Sequence, residues 1–337
     1  MEKVLSVSIA AYNVAQTLDE ALMPFLQCKS LASLDIMIVD DGSSDKTADI
    51  AQIYVEKYPD SFRLIKKQNG GWGSTLNVGI RMATGKYFKQ LDGDDLFSAE
   101  NLDDFVSYLA DCHTDIVYSP FLLFEDQSRG IIREIGQYDL YPQRREMRMK
   151  EMLHFLPAMH TLTVKTDVLK LNHIQITEHC FYTDVEFVLK SCNVCKTLSF
   201  YEYPIYFYRI ARSGQSMSIQ GVRKHYLDHV TMLTGMLQYE IENVHSSHMK
   251  QMFRERLLQA CKMQYSFFFA LPCTRKQKEE LKQFDRLLRV KYPYYYNRIL
   301  GRPVWFLRHS DFRGYWLIGH LKTKKDKKLK INIFEGC

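Results

Sequence analysis

The chain has 337 residues, of which 46% are hydrophobic and 25% charged, a balance typical of a globular protein with an ample apolar core. It contains no apolar run of about eighteen residues and no signal-peptide pattern at its start, so we expect neither a transmembrane helix nor secretion. The eight cysteines are then expected as free thiols in a cytoplasmic, reducing environment.

Segments typical of strands and helices alternate along roughly the first 120 residues. The predicted strands are Leu5–Ile9, Ile36–Val39, Phe62–Ile65, Lys86–Leu91 and Asp115–Tyr118. Helices are predicted to begin at Thr17 with a capping box to Glu20, to follow Asp45 with Ile50, Ile53 and Tyr54 inward, and to span Thr75–Ala83 and Asn101–Ala110. This alternation predicts a mostly parallel sheet with flanking helices.

Three of the predicted strands end in polar residues, namely Tyr12 and Asn13, Asp40 and Asp41, and the group Asp92, Asp94 and Asp95. Ligands of open parallel sheets bind beyond the carboxyl ends of the strands. We therefore expect residues about eighty positions apart to meet in one cleft.

The rhythm changes after residue 120. Strands are predicted at Phe121–Phe124, Ile131–Ile132, Leu162–Val164 and Tyr203–Ile210, and helices at Glu146–Phe155, Tyr226–Glu240, Met249–Phe269 and around Leu281–Leu288. These patterns predict a domain of residues 1–220 and a helical region of residues 221–337.

The segment QLDGDD places Asp92 and Asp94 one residue apart at a strand end, where both carboxylates can face one cation. Gly93 between them permits a tight turn and a close approach of a ligand. Ligation by oxygen alone suits Mg²⁺ or Mn²⁺, which proteins hold with one or two carboxylates and a substrate phosphate. An isolated D-x-D would more often be an acidic surface turn, but its position at the predicted rim favours the metal site.

Five short segments follow one another in a fixed order: SIAAYN, IVDDGSSDKT, NGGWGSTLNVGIRMATGKY, QLDGDD and FYTDVEFVL. As an ordered set they resemble the family 2 glycosyltransferases of the GT-A fold, over about residues 1–220. The resemblance implies a Rossmann-like nucleotide-diphospho-sugar transferase fold. It also implies an inverting, metal-dependent transfer of a hexose-type sugar from a nucleoside-diphosphate sugar, usually a UDP-sugar. The acceptor would be a hydroxyl of a glycan or lipid-linked saccharide in cell-surface polysaccharide synthesis.

The resemblance also implies roles for individual residues. Ala10, Tyr12 and Asn13 would contact the donor, with Tyr12 near the base, and Asp41 would accept a hydrogen bond from the uracil imide. Asp92 would lie near the ribose and the metal, and Asp94 would ligate the Mn²⁺ or Mg²⁺ directly. For Asp95 we expect a structural hydrogen-bonding role.

Asp184 in FYTDVEFVL matches the general base of the family, although Thr183 stands where the family often has Glu. The alternatives are a helix-capping role for Asp184, with Glu186 as the base. Arg209 or Arg212 of YRIARSGQSMS would clamp the donor diphosphate, unless this segment only connects a strand to a helix.

The net charge of +6 is unevenly distributed, since residues 275–330 contain seventeen Lys or Arg and five Asp or Glu. Interleaved aromatics such as Trp305 and Trp316 are typical of an element that binds an anionic membrane surface, at the inner face of the membrane in this case. A helical unit with a basic outer face is the alternative, and no nucleic acid partner is expected. For the whole chain, alternatives to a transferase are a non-catalytic nucleotide-sugar-binding scaffold and a sugar nucleotidyltransferase, which would release pyrophosphate.

Overall fold

The computed structural model describes residues 2–126, 128, 130–136, 140–152, 157–210 and 219–317. They divide into two compact units, Met1–Arg212 and Ser213–Cys337. The predicted boundary at residues 220 and 221 lies beside residues 211–218, which are outside the described residues, and it stays a prediction.

The first unit is built of strands and short helices. Its strands are β1 (Leu5–Ala11), β2 (Leu34–Asp40), β3 (Phe62–Lys66), β4 (Tyr87–Asp92), β5 (Leu96–Phe97), β6 (Ile116–Tyr118), β7 (Phe121–Glu125), β8 (Ile131–Ile135), β9 (Met147–Arg148), β10 (Leu162–Lys165), β11 (Thr197–Phe200) and β12 (Tyr206–Ile210). Its helices are α1 (Leu18–Leu26), α2 (Thr47–Lys57), α3 (Trp72–Met82), α4 (Leu102–Asp111), α5 (Thr166–Leu171) and α6 (Asp184–Val194).

The main sheet has eight strands in the order β3-β2-β1-β4-β10-β6-β11-β9. β1 lies between β2 and β4 and pairs with both in parallel, whereas β10 runs antiparallel to β4. A second sheet has the order β5-β12-β7-β8. This mixed, mostly parallel sheet with flanking helices confirms the predicted fold class.

The central strands are buried on both faces. Every residue of β2 is buried, as expected from its continuous apolar run. In β1 the polar residue Ser6 is fully buried, and its hydroxyl donates to Asp35 Oδ2 over 2.6 Å. A buried hydroxyl needs such a partner, because an unpaired polar group in the core costs about 1–3 kcal/mol.

Three local predictions are wrong. Ile53 is 56% exposed, and the inner face of α2 consists of Thr47, Ala51 and Tyr54 instead. Thr17 does precede α1, but its side chain forms no cap, and its hydroxyl donates to the Gly93 carbonyl over 3.0 Å. In place of a helix from Glu146, the described residues form β9 and a short 3₁₀ turn, and residues 153–156 lie outside them.

The second unit is helical, as predicted. Its helices are α7 (Ile219–Asn243), α8 (Ser247–Ala270), α9 (Arg275–Lys291), α10 (Pro293–Tyr296) and α11 (Arg302–His309). None of the helices within the described ranges has the length and apolar character needed to cross a membrane.

Candidate active site

The carboxyl ends of the three central strands meet at one edge of the main sheet. Ala10 of β1 lies opposite Val39 of β2 on one side and Asp92 of β4 on the other. The turn after β4 is held to β1, since the Gly93 amide donates to the Ala10 carbonyl over 3.0 Å. A Cβ at Gly93 would lie 2.9 Å from that carbonyl. Glycine is therefore required at position 93 because the backbone of β1 approaches it closely.

Asp92, the last residue of β4, accepts a side-chain hydrogen bond from α3. The indole nitrogen of Trp72 donates to its Oδ1 over 2.7 Å. Burial, with added repulsion from Asp94 and Asp184, raises the pKa of Asp92 to about 7. The three carboxylates are therefore close enough to influence one another, and a positive charge among them would be strongly favoured.

Asp95 points away from this group into the protein. It accepts a hydrogen bond from the Tyr206 hydroxyl over 2.5 Å and one from the Arg209 amide over 2.7 Å. Burial and the charges of Asp94 and Asp92 raise its pKa well above the usual value. Asp95 thus ties the acidic turn to β12, which is the structural role expected for it.

The guanidinium of Arg209 is turned inward, contrary to a phosphate clamp. It is 1% exposed and donates to the Asp94 carbonyl over 2.6 Å, to Asp126 over 2.5 Å and to Glu20 over 2.9 Å. All three of its nitrogens are engaged by the protein, so the geometry favours a role in fixing the acidic turn. Arg212, the other candidate clamp, lies outside the described residues.

Asp41 is 2% exposed and organises the loop that precedes α3. Its Oδ1 accepts from Lys67 Nζ over 2.6 Å and from the Gly70 amide over 2.9 Å, and its Oδ2 accepts from the Gly71 amide over 2.8 Å. A carboxylate offers about four acceptor sites. The remaining capacity is on Oδ2, so a contact between Asp41 and a uracil imide stays a prediction.

Tyr12 and Asn13 follow β1 at the same edge. Tyr12 is 53% exposed and leaves a ring face open to a ligand. Asn13 has a left-handed backbone with φ of 53°, and its Oδ1 accepts from the Ser44 amide over 2.8 Å. Asn13 therefore joins the loops after β1 and β2. Contacts of Ala10, Tyr12 and Asn13 with a donor stay predictions.

Asp184 is the first residue of α6 and is partly exposed. Thr183 occupies the capping position, so the capping alternative for Asp184 is not observed. Glu186 is buried, accepts from the Thr177 amide over 3.1 Å and pairs with Lys190 over 2.5 Å. These contacts occupy Glu186, the alternative base, and the role of Asp184 in proton transfer stays a prediction.

The donor set fits a hard divalent cation. Asp92 and Asp94 offer only oxygen, the ligand that Mg²⁺ and Mn²⁺ prefer. Within the described parts of the chain, no three or more His, Cys, Asp or Glu side chains are arranged to hold a metal ion. Asp92 and Asp94 would therefore supply the protein ligands, and the other positions would fall to phosphate and water.

Trp72 and Tyr206 contact the acidic turn but do not stand out in the sequence. Trp72 had one available signal, a lone indole within the glycine-rich segment NGGWG. The alternation in YFYRI places Tyr206 and Tyr208 on one face of β12, but the sequence does not show that this face meets the acids. Contacts between distant segments carry no local pattern.

The family model described as Glycosyl transferase family 2 matches residues 6–170. Among curated relatives, the minor teichoic acid biosynthesis protein GgaB of Bacillus subtilis is 29% identical over 66% of this chain and 25% of its own length. An uncharacterized glycosyltransferase of Rickettsia typhi is 32% identical over 47% of each chain. The chain thus spans a quarter to about half of the length of these relatives.

Solved structures show the same fold. S. aureus TarS 1-349 in complex with UDP-GlcNAc has a TM-score of 0.68 at 19% identity, over 96% of this chain and 92% of that one. The mannosyltransferase PcManGT from Pyrobaculum calidifontis, in complex with GDP-Man and Mn²⁺, has a TM-score of 0.50 at 15% identity. The match covers 97% of this chain and 89% of that one.

The inward guanidinium of Arg209 gives a stability prediction. Arg209→Met removes the donor to the Asp94 carbonyl and leaves Glu20 and Asp126 without their partner. The free energy of unfolding, measured by chemical denaturation, should fall by about 2–4 kcal/mol. Arg133→Met, at an exposed position of β8, is the matched control and should change it by less than about 0.5 kcal/mol. Equal losses in the two variants would contradict the structural role of Arg209.

Proposed function

Because residues 6–170 match the family model of glycosyl transferase family 2, we propose that this chain is an inverting, metal-dependent glycosyltransferase that uses a nucleoside-diphosphate sugar. The acceptor is a hydroxyl of a glycan or lipid-linked saccharide of the cell surface. The observation that supports this most directly is the meeting of Asp92, Asp94 and Asp184 at the carboxyl edge of the sheet. These carboxylates come from two distant segments, and they suit a diphosphate-bound cation together with a base.

A UDP-sugar is the donor that the site suits best. Tyr12 offers an exposed ring for the base, and Asp41 lies at the end of the neighbouring strand with one oxygen able to accept a further hydrogen bond. TarS 1-349, which shares the fold, is known in complex with UDP-GlcNAc. The diphosphate then lies beyond β1 and β4, next to Asp92 and Asp94.

The transfer needs one base. Asp184 accepts the proton of the acceptor hydroxyl while that oxygen attacks the anomeric carbon. The new bond between carbon and oxygen forms as the bond to the diphosphate breaks, and the nucleoside diphosphate leaves with the electron pair, so the configuration inverts. Asp92 and Asp94 would hold a divalent cation, which would compensate the negative charge of the diphosphate. Trp72 and the turn at Gly93 keep the Asp92 carboxylate in place.

Asp184→Asn tests the base. The variant keeps the size of the side chain and removes its basicity, so the rate of sugar transfer should fall by about a hundredfold or more, whereas donor binding should persist. Transfer is measured as nucleoside diphosphate released in the presence of acceptor, and binding by calorimetry with UDP-GlcNAc. Asp167→Asn, exposed on α5, is the matched control.

Full activity of Asp184→Asn would refute this role. A wild-type protein that binds donor but never transfers it would favour the scaffold, and release of pyrophosphate would favour a nucleotidyltransferase.

Asp94→Asn tests the metal. With Mn²⁺ and UDP-GlcNAc at a hundred times its dissociation constant, the wild-type protein should be stabilised by about 2.7 kcal/mol, seen as a rise in melting temperature. Most of this stabilisation should be lost in Asp94→Asn and, for the wild-type protein, in EDTA. Asp111→Asn, exposed at the end of α4, is the control. A rise in melting temperature with GDP-sugars, but not with UDP or its sugars, would contradict the proposed contact of Asp41 with uracil.

The second unit presents an aromatic and basic surface, which we call the α11 surface: Arg302, Trp305, Phe306, Arg313 and Trp316. Trp305 is 59% and Trp316 55% exposed, although Val304 and Leu307 anchor α11 in its own unit. Gly314 lies against the Phe306 ring, which brings the turn with Arg313 beside α11. Exposed indoles beside cations suit the headgroup region of an anionic bilayer. The proposed partner is such a membrane, and residues 318–330 lie outside the described residues.

Trp305→Ala combined with Trp316→Ala tests the α11 surface. Loss of two exposed indoles should weaken binding to vesicles of phosphatidylcholine and phosphatidylglycerol by about tenfold or more, measured by co-sedimentation. Ile241→Ala, which removes an exposed apolar side chain from α7, should bind as the wild type does. Wild-type protein that binds neutral and anionic vesicles equally, or neither, would contradict an anionic membrane as the partner.

A further inference from the structure

His160 lies at the edge of the sheet that carries the acids, on the side away from β1 and β2. It belongs to a 3₁₀ turn, Met159–Thr161, directly before β10. β10 runs antiparallel to β4 with Val164 opposite Phe88, so the start of β10 comes to the end of β4. The Lys89 ammonium of β4 donates to the His160 carbonyl over 2.8 Å, which fixes the backbone there.

Three aromatic rings hold the imidazole of His160 in one orientation. Its ring centroid lies 4.7 Å from Phe121, 4.8 Å from Tyr206 and 4.6 Å from Tyr208. The side chain nevertheless stays partly exposed. A ring that is packed on several sides and open on another is suited to present one fixed group to a ligand.

The nitrogens of His160 differ in their surroundings. Nδ1 is buried and has no hydrogen-bond partner within the described residues. Burial and the nearby Lys89 charge lower the pKa of His160 to about 3, so the ring is neutral at physiological pH. A buried N–H without an acceptor is costly, which favours the proton on Nε2. Nε2–H is thus a fixed, neutral donor.

Tyr208 connects His160 with the acids. Burial, followed by the negative charges of Asp95, Asp92, Asp94 and Asp184, raises the pKa of Tyr208 above its usual range. The phenol is therefore neutral. Tyr206, two residues earlier on the same face of β12, donates to Asp95 over 2.5 Å. Tyr208 and His160 together form a partly exposed wall on the β10 side of the acidic group.

We propose that His160 is an acceptor-binding residue whose Nε2–H donates to an oxygen of the acceptor saccharide, while the ring of Tyr208 packs against its C–H face. This inference rests on the proposed function. There the nucleotide takes the β1 and β2 side and the carboxylates hold the middle, which leaves the β10 side for the acceptor. Saccharides offer many oxygen acceptors beside apolar C–H faces, and a neutral N–H beside a phenol ring matches both.

His160→Phe tests this proposal, since it keeps an aromatic ring among Phe121, Tyr206 and Tyr208 and removes the N–H hydrogen-bond donor. The assay uses UDP-GlcNAc as the donor. The acceptor probes are the p-nitrophenyl glycosides of glucose, galactose and N-acetylglucosamine. The KM for the best probe should rise about tenfold, with the KM for UDP-GlcNAc and its slow hydrolysis unchanged. His160→Gln, which restores an N–H donor, should recover most of the loss. His113→Phe, at an exposed position, is the matched control.

Binding of the same probes in the presence of UDP, measured by calorimetry, separates this inference from the proposed function. A tenfold weaker affinity in His160→Phe supports the acceptor role even if no transfer is detected, in which case only the proposed function fails. An unchanged affinity in His160→Phe, an equal rise of the donor KM, or no saturable binding of any probe by the wild-type protein overturns it.

Discussion

Mutual repulsion of carboxylates at one edge of the sheet is the constraint on which the rest of the first unit depends. Asp92, Asp94 and Asp184 lie close enough that burial and their charges raise the pKa of Asp92 to about 7. The fold offers Asp92 two neutral side-chain donors, the Trp72 indole and the Gln90 amide. The Asp95 side chain points inward and accepts a hydrogen bond from the hydroxyl of Tyr206. A cation or a proton at this edge would relieve the repulsion among these carboxylates.

The acidic turn is also where the pieces of the first unit are joined. Arg209 of β12 binds the carbonyl of Asp94 and pairs with Glu20 of α1 and with Asp126. Thr17 binds the carbonyl of Gly93 from the start of α1. The second sheet and the first helix therefore hold the turn against the first sheet. The Arg209 guanidinium, predicted from the sequence to clamp a diphosphate, donates to the Asp94 carbonyl and pairs with Glu20 and Asp126.

Much of the first unit was predictable because its signals are local. The apolar run of β2 and the polar ends of β1, β2 and β4 follow from residue order, and parallel pairing then brings those ends together. Ile53 was misplaced because helix periodicity alone does not say which stripe meets the sheet. The capping box at Thr17 does not form, and the Thr17 hydroxyl donates instead to a tertiary acceptor, the Gly93 carbonyl.

The sequence by itself determined the order of strands and helices, the family, and the carboxylates that end β4 and begin α6. The tertiary structure decided how these side chains are oriented and how deeply they are buried. It buried Arg209 and Glu186 in ion pairs, left Asp184 partly exposed, and set His160 beside Tyr208. The physical reason is that a motif fixes which groups arrive at an edge, whereas partners from distant segments fix their direction, burial and charge.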